Sequence, residues 1–252
     1  MFRPRVIPVL LLKNKGLVKT VQFKEPRYIG DSINAVKIFN DLKADELVFL
    51  DIMASKERRT VSLDFVRNVG DEANMPFAVG GGIRTIQDIK EIINAGAEKV
   101  IINTFAAENP LFIKQAADEF GSSTIVVSID VKKKLFGKEQ VYTYGGEKAT
   151  GMNPVLFAQQ MAEMGAGEII ITSIEHEGKM QGYDFELTKK VAEAVNIPVV
   201  ALGGASNTAD FNKAVNQSFA SAVAAGSLFV YHGQRRAILV NYPSSEELTK
   251  MF

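Results

Sequence analysis

Short apolar segments rich in valine, isoleucine and leucine alternate with longer amphipathic segments along the whole chain. Strands buried on both faces of a parallel sheet read as continuous apolar runs, and the helices between them carry one apolar face. The 252 residues contain eight such runs, at Arg5–Leu12, Glu46–Ile52, Pro76–Val79, Lys99–Thr104, Thr124–Asp130, Glu168–Ile174, Pro198–Leu202 and Ala220–Ala225. Eight β-α units favour an α/β fold of the closed (β/α)8 or TIM barrel type, and we expect residues 1–252 to form one domain.

The amphipathic segments between the runs predict the crossover helices. These are Ser32–Leu42, Leu63–Asn74, Thr85–Ala95, Pro110–Glu119, Pro154–Met164, Phe185–Val195 and Thr208–Gln217. Asp31, Asn109 and Asn153 stand where a side chain caps a helix, and a proline follows each of the last two at the first helical position.

The second half of the sequence repeats the first. Ala78-Val79-Gly80-Gly81 is echoed by Ala201-Leu202-Gly203-Gly204 at an offset of 123 residues, and the segment from Glu46 is echoed by that from Glu168 at an offset of 122. Offsets near half the chain length are far longer than solenoid repeats, so they indicate two half-barrels related by a pseudo-twofold axis.

Composition excludes several classes of function. The 29 basic and 29 acidic residues give no net charge, which indicates neither a nucleic-acid binder nor a membrane-surface protein. Without cysteine there is no disulfide or thiol nucleophile, and with two histidines we expect no metal site and no cofactor. The first apolar run is too short for a signal peptide or a membrane span, so we expect a cytoplasmic protein.

The segment Pro76–Arg84, PFAVGGGIR, ends an apolar run in three consecutive glycines. Bare backbone at a strand end either makes an ordinary tight turn or lets a phosphate approach its amides. The repeat places a second glycine cluster across the barrel, which suits a substrate phosphorylated at both ends.

Two long polar segments, Lys13–Val21 and Lys132–Tyr144, follow the first and fifth runs. Each resembles a hairpin, turning near residues 14–16 and 136–138, and such loops lie at the carboxyl end of a barrel, where active sites are found. Lys19 in the first segment either reaches over a phosphorylated ligand or is simply solvated.

Acidic residues end three of the runs. Asp130 ends an apolar run, where burial would raise its pKa and suit proton transfer. Asp51 ends the second run and either acts in the site, orients Lys19 or caps the next turn. Glu175-His176-Glu177 follows the sixth run and is either an acid/base group or a solvated loop.

Four charged residues begin runs and should meet at the opposite, amino-terminal end of the barrel: Arg5, Glu46, Lys99 and Glu168. They either form a salt-bridge layer that closes the barrel, as features of this end usually serve stability, or a gate that parts to admit a small neutral molecule from a docked partner.

The chain resembles the cyclase subunit of imidazole glycerol phosphate synthase over essentially its whole length. The segments that carry the resemblance are Asp45–Ile52, Val79–Arg84, Asn103-Thr104, Gly165–Ile169, Gly182–Asp184 and Gly203–Ala205. The resemblance implies a class I glutaminase docked at the amino-terminal end of the barrel, whose ammonia enters through a charged gate matching Arg5, Glu46, Lys99 and Glu168. It also implies a catalytic role for a mobile lysine at Lys19, and phosphate contacts at Gly82, Asn103, Thr104, Gly178, Gly204, Gly226 and Ser227.

The chain departs from that family at residues that carry chemistry. The family resemblance implies two aspartates at twofold-related strand ends, one of which is Asp130, but the internal repeat pairs Asp130 with Leu11. The family's acidic residue after the sixth strand is present only as Glu177, and its serine before the second glycine pair is Leu202. Because leucine moves no proton, the second half-site and the cyclisation are in question.

A retained barrel and gate with a lost carboxylate resemble a paralogous group that accompanies amidation of cell-surface sugars, together with a glutaminase and an ATP-dependent sugar amidotransferase. We therefore expect a synthase-type amidotransferase subunit serving sugar amidation. The alternatives are the histidine-pathway cyclase working through Asp130 alone, and a non-catalytic scaffold that activates the glutaminase.

Overall fold

A computed structural model describes residues 3–14, 16–133, 138–233 and 235–252. Its strands, in chain order, are β1 Arg5–Lys13, β2 Gly16–Val21, β3 Lys24–Asp31, β4 Leu47–Asp51, β5 Phe77–Gly80, β6 Lys99–Ile102, β7 Ile125–Lys133, β8 Glu139–Thr143, β9 Lys148–Ala149, β10 Glu168–Ser173, β11 Val199–Leu202, β12 Ala222–Ala225, β13 Tyr231–His232 and β14 Ala237–Ile238. Its α-helices are α1 Ser32–Asp41, α2 Leu63–Glu72, α3 Ile86–Asn94, α4 Thr104–Glu108, α5 Pro110–Phe120, α6 Pro154–Glu163, α7 Phe185–Ala194, α8 Thr208–Ser218, α9 Ser227–Val230 and α10 Ser245–Met251.

Parallel pairing closes the central sheet into a barrel. Strands β1, β4, β5, β6, β7, β10, β11 and β12 pair in that order, and β12 pairs in turn with β1. These are the eight apolar runs, so the predicted α/β barrel is confirmed. A closed barrel leaves no free edge, and every backbone group in the ladder has a neighbour.

The seven predicted crossover helices are present, each within two residues of its expected bounds. The Asp31 carboxylate accepts the amide of Asn34 at the start of α1, and Asn153 caps α6 in the same way. Asn109 also precedes a helix, α5, but its side chain makes no cap bond there. Asn109 also directly follows the last residue of α4, and its backbone N–H donates to the carbonyl of Phe105 at that helix end.

Each barrel strand has two apolar faces, which build two cores. Side chains on the outer faces pack against the helices; Phe49, for example, is fully buried against Phe65 and Phe77. The inner faces and one side chain from β2 form a second core inside the barrel, from Ile7, Val9, Leu11, Val18, Val48, Ala78, Ile101, Val126, Ile170, Val200, Ala222 and Ala224.

The strand register corrects one reading of the internal repeat. Val48 pairs with Ala78 and Ile170 pairs with Val200, so Ala78 and Val200 are the equivalent residues, at an offset of 122. The sequence echo had matched Ala78 to Ala201, but Ala78 faces the barrel interior whereas Ala201 faces the helices. A slip of one residue exchanges the two faces of a strand, and the similar glycine clusters concealed that slip.

Both long polar segments form antiparallel extensions of barrel strands. The first continues β1 to Lys13 and returns as β2, as predicted. Strand β3 was not predicted, because four of its eight residues are charged and most of them are exposed. The second continues β7 beyond Asp130 to Lys133 and returns as β8, so Asp130 lies within its strand and does not end it. The turn predicted near residues 136–138 lies mostly outside the described residues.

In the part of the chain that the structure describes, no helix has the length and apolar character needed to cross a membrane.

Candidate active site

A cavity of about 420 Å³ opens at the carboxyl end of the barrel. All the residues predicted to act there or to bind phosphate line it, namely Lys19, Asp51, Gly82, Asn103, Thr104, Asp130, Glu177, Gly178, Gly204, Gly226 and Ser227. Leu11 lines it as well. One cavity therefore collects candidate residues from both halves of the chain.

Lys19 reaches into the cavity from β2 and is 4% exposed. Its Nζ donates a hydrogen bond of 2.7 Å to the carbonyl oxygen of Val9 and lies against Gly226, where any side chain would collide with it. Burial lowers the Lys19 pKa to about 8, and the charge of Glu177 opposes that shift. Lys19 is therefore a buried amine, and the solvated-lysine interpretation is wrong for this conformation.

Glu177 joins the first hairpin to the turn that follows β10. Its Oε2 accepts the Thr20 hydroxyl at 3.1 Å and the Phe23 amide at 3.3 Å, and its backbone carbonyl accepts the Gln22 amide at 3.0 Å. Burial raises the pKa of Glu177, while the Lys19 charge and these hydrogen bonds oppose the rise. His176 is turned away, with Nδ1 2.8 Å from the carbonyl oxygen of Gly182.

Asp130 is buried at the mouth of the barrel, on β7. Asn103 Nδ2 donates to its Oδ2 at 3.2 Å and to the carbonyl of Ser128 at 2.9 Å. Burial raises the Asp130 pKa to about 7, with the charge of Glu177 adding to the rise and the polar groups of Thr172 and Asn103 opposing it. A carboxyl that titrates near neutral pH suits general acid/base catalysis.

Thr172 was missed by sequence reasoning and lies beside Asp130, with which it pairs on the neighbouring strand β10. Thr172 lines the cavity, and its buried hydroxyl lowers the Asp130 pKa through a polar interaction, although the geometry of that contact falls short of a regular hydrogen bond. The signal was available, because Thr172 follows Ile170 by two residues on the same strand face.

Leu11 and Asp130 occupy equivalent places in the two half-barrels. Leu11 pairs with Leu50 in the first half as Asp130 pairs with Thr172 in the second. The mouth therefore has a polar side on β6, β7 and β10, and an apolar side that includes Leu11, Leu50 and Leu202. The pairing of Asp130 with Leu11, inferred from the repeat, holds in the strand register.

Asp51 holds the turn that follows β4. Its Oδ1 accepts the amides of Met53 at 3.0 Å and Ala54 at 3.2 Å, and Arg59 forms an ion pair with Oδ2 at 2.6 Å. Of the roles considered for this residue, the structure shows turn capping. A part in catalysis stays a prediction.

The glycines predicted to bind phosphate are required by close backbone packing. The loop after β4 brings the Arg59 carbonyl so close to Gly82 that a Cβ would collide with it, and in the other half a Cβ at Gly204 would collide with the Gly182 carbonyl. Both glycines have a positive φ, of 67° and 107°, respectively. Either glycine would be needed for this packing without a ligand, so phosphate binding at these positions stays a prediction.

The second hairpin covers the half-site formed by Asn103 and Thr104. The Thr104 hydroxyl accepts the Tyr144 amide at 3.1 Å, and the Tyr144 hydroxyl donates to Glu108 at 2.6 Å. Glu108 also accepts a hydrogen bond from Arg84 at 2.5 Å. The hairpin is thereby tied to the loops that follow β5 and β6.

The four charged residues at the other end of the barrel form a closed ring. Arg5 forms ion pairs with Glu46 and Glu168, and Lys99 Nζ lies 3.1 Å from an oxygen of each carboxylate. The side chains of the two glutamates are 5% and 8% exposed, whereas those of Arg5 and Lys99 are 30% and 20% exposed. Burial lowers the pKa of Arg5, but the charges and hydrogen bonds of the two carboxylates have the larger combined effect, so the pKa is raised.

The described residues contain no group of three or more histidine, cysteine, aspartate or glutamate side chains placed to hold a metal ion.

Comparison with known proteins finds relatives along the whole chain. The family model of the histidine biosynthesis proteins matches residues 5–235. A protein of Pseudomonas aeruginosa named as a candidate imidazole glycerol phosphate synthase subunit, hisF2, is 45% identical over 98% of this chain and 99% of its own. A similarly named hisF3 of Vibrio vulnificus is 44% identical over 99% and 96%, and the imidazole glycerol phosphate synthase subunit HisF of Alkaliphilus metalliredigens is 44% identical over 92% of each chain.

Gly178→Ala is expected to release the first hairpin. Gly178 has a φ of 72°, and a Cβ there would collide with the Thr20 carbonyl of β2. Gly151 is the matched control, because its φ of 81° is similar but a Cβ there meets nothing within 4 Å. Hydrogen exchange of the residue 16–31 amides should quicken at least about tenfold in Gly178→Ala relative to Gly151→Ala. Equal exchange in the two variants would contradict the packing.

Asp130→Asn is expected to stabilise the fold in a pH-dependent way. Since the folded-state pKa of Asp130 is raised to about 7, the wild type loses stability as pH rises from about 4 to about 7, and asparagine does not. Thermal or urea unfolding should show no difference near pH 4 and a gain of at least about 1 kcal/mol for the variant near pH 8. A gain that is independent of pH would show that Asp130 titrates normally.

Proposed function

The chain belongs to the histidine biosynthesis protein family as a HisF-like relative of the cyclase subunits of imidazole glycerol phosphate synthase, and from this we propose that it is the synthase-type subunit of a glutamine amidotransferase. In this proposal a class I glutaminase docks at the amino-terminal end of the barrel and supplies ammonia. The ammonia crosses the barrel to the cavity at the other end, and the whole complex serves amidation of a cell-surface sugar.

The ring of Arg5, Glu46, Lys99 and Glu168 is the observation that carries the proposal. Burying charge is expensive, and a buried ion-pair network is often no more stable than apolar residues of the same size. Apolar residues would therefore close the barrel at least as well. The ring is neutral overall, and its two cations are the more exposed members, so they are the ones a docked subunit would contact first.

The barrel interior beyond the ring supports passage of a small neutral molecule. Its side chains are apolar, and they include the small residues Ala78, Ala222 and Ala224. Ammonia crosses such surroundings at lower free-energy cost than ammonium, because the charged form would lose its hydration there. The charged ring lies where the partner would dock, and the apolar interior favours passage of ammonia over ammonium.

The residues that line the cavity are suited to a phosphorylated small molecule, which is the ligand expected under the proposed function. Lys19 offers a cation inside it, and Thr172 adds a hydroxyl-bearing side chain to its lining. The loop ends at Gly82 and Gly204 lie at equivalent places on either side of it, which suits a phosphate at each end of the ligand.

Leu11 is the reason for proposing sugar amidation over histidine synthesis. The cyclase chemistry implied by the family resemblance uses two carboxylates, and this site has Asp130 opposite an apolar side chain. Loss of one positioned acid or base typically lowers a rate by about 10²–10⁴. A subunit that cannot complete the cyclisation needs a third component to deliver the nitrogen to the sugar, for which an ATP-dependent sugar amidotransferase has the right chemistry.

The second candidate is the histidine-pathway cyclase itself. It is favoured by the Alkaliphilus relative, whose name gives that activity, and by an Asp130 whose pKa of about 7 suits proton transfer at neutral pH. Here Asp130 would serve as the only carboxyl of the reaction, with Lys19 nearby. A non-catalytic activator of the glutaminase would share the ring but would need neither Asp130 nor Lys19.

Assay of the purified chain with free ammonia and the bisphosphorylated ribulosyl substrate separates these functions. We expect wild-type turnover at least about 10²-fold below that of Leu11→Asp, which restores the second carboxyl. The control Leu11→Asn should show no gain over the wild type, because asparagine has the shape of aspartate but cannot transfer a proton. Wild-type turnover equal to that of Leu11→Asp would contradict the proposal and establish the histidine cyclase.

A further inference from the structure

The Lys19 amine is buried inside the cavity and hydrogen-bonded to a backbone carbonyl. We propose that Lys19 is a covalent nucleophile, which condenses with the carbonyl carbon of a phosphorylated aldehyde or ketone held in the cavity.

The surroundings of Lys19 give its amine a larger neutral fraction than a solvated lysine has. Among the described residues it forms no ion pair within 4.0 Å, and its Nζ instead donates to the Val9 carbonyl. Lys99, the other lysine at the barrel axis, has a carboxylate oxygen of each of two glutamates at 3.1 Å. Leu11 lies on the same inward strand face as Val9 and, being apolar, offers Lys19 no counter-ion.

Burial makes Lys19 reactive near neutral pH. With a pKa of about 8, roughly a tenth of the amine is unprotonated at pH 7, against less than about 0.1% for an ordinary lysine. A desolvated lysine in an apolar site is a recognised way to make an amine nucleophile. The nucleophilic fraction is thus on the order of 10²-fold larger at this residue.

The step balances with groups that line the cavity. The Lys19 lone pair forms the C–N bond, and the carbonyl oxygen takes a proton from the carboxyl of Glu177 or Asp130. The carboxylate so formed takes a proton from the nitrogen and returns it to the hydroxyl of the carbinolamine, which leaves as water and gives an iminium, with no oxidation or reduction. Glu177 is suited to the proton transfer because its charge influences both Lys19 and Asp130.

Ammonia that reaches the cavity would react with the iminium. Attack of ammonia on the iminium carbon would break the bond to Lys19 and leave an imine of the substrate, so the amine acts as a temporary carrier. This second half rests on the proposed function, whereas formation of the iminium does not.

The substrate class follows from the position of the amine. Nζ lies against Gly226, and the next residue, Ser227, lines the same cavity with a buried hydroxyl. A phosphate bound at that hydroxyl would place a carbonyl a few bonds away at the amine. A short sugar phosphate has this form.

Reductive trapping tests the proposal without ammonia or a glutaminase, so its failure leaves the proposed function standing. The full chain is incubated at pH 7 with glyceraldehyde 3-phosphate and cyanoborohydride, and adducts are located by peptide mass spectrometry. We expect at least about tenfold more adduct at Lys19 than at Lys13, which is on the same hairpin and also lines the cavity. Labelling of Lys19 should rise with pH around 8, and unphosphorylated glyceraldehyde should label it at least about tenfold less.

Lys19→Arg and Gly226→Ala, with Lys13→Arg as the control, keep the test independent of a single substitution. Lys19→Arg should lose the adduct, whereas Lys13→Arg should retain it. Gly226→Ala keeps the lysine but displaces its Nζ, and should lower the Lys19 adduct at least about tenfold while thermal melting confirms a folded barrel. Absence of a Lys19 adduct, or equal labelling of Lys19 and the exposed lysines, would overturn the nucleophile. Equal labelling by the two aldehydes would overturn the phosphorylated substrate.

Discussion

The register of the closed barrel is the constraint on which both ends of this molecule depend. Side chains alternate between the interior and the helices, so the pairing of strands decides which residues meet on the barrel axis. With the observed register, four charges meet at one end and Asp130 faces the cavity at the other, opposite Leu11. A slip of one residue in a single strand would remove its members from both sets.

The two ends have opposite electrostatic designs. At the amino-terminal end each buried carboxylate has two cationic partners, and the charges cancel. At the carboxyl end Asp130 and Lys19 are each buried without an ion pair among the described residues, and their pKa values of about 7 and 8 are both displaced toward neutrality. The charges at the amino-terminal end are therefore fixed by ion pairs, whereas Asp130 and Lys19 at the carboxyl end have pKa values suited to proton exchange near neutral pH.

Much of this could be predicted from the sequence because it depends on periodicity and on strand order. The eight strands follow from apolar runs, and the grouping of the site residues follows from the rule that carboxyl ends of parallel strands meet. Strand β3 could not be recognised, because its polar and exposed residues are paired only through their backbone. The packing of Gly82 against Arg59 and of Gly178 against Thr20 depends on loops that cross in space, which no local pattern reports. The burial of Lys19 depends in the same way on how the first hairpin folds back over the mouth.

On the proposed function, a glutaminase supplies ammonia to this barrel through the charged ring. The most direct measurement is affinity purification of the full chain from its source, with the accompanying proteins identified and assayed for glutamine hydrolysis. We expect a class I glutaminase in an amount roughly equal to that of the barrel. In Lys99→Ala, its glutamine hydrolysis should become uncoupled from the barrel while thermal melting shows an intact fold. Reproducible absence of a glutaminase would contradict the account.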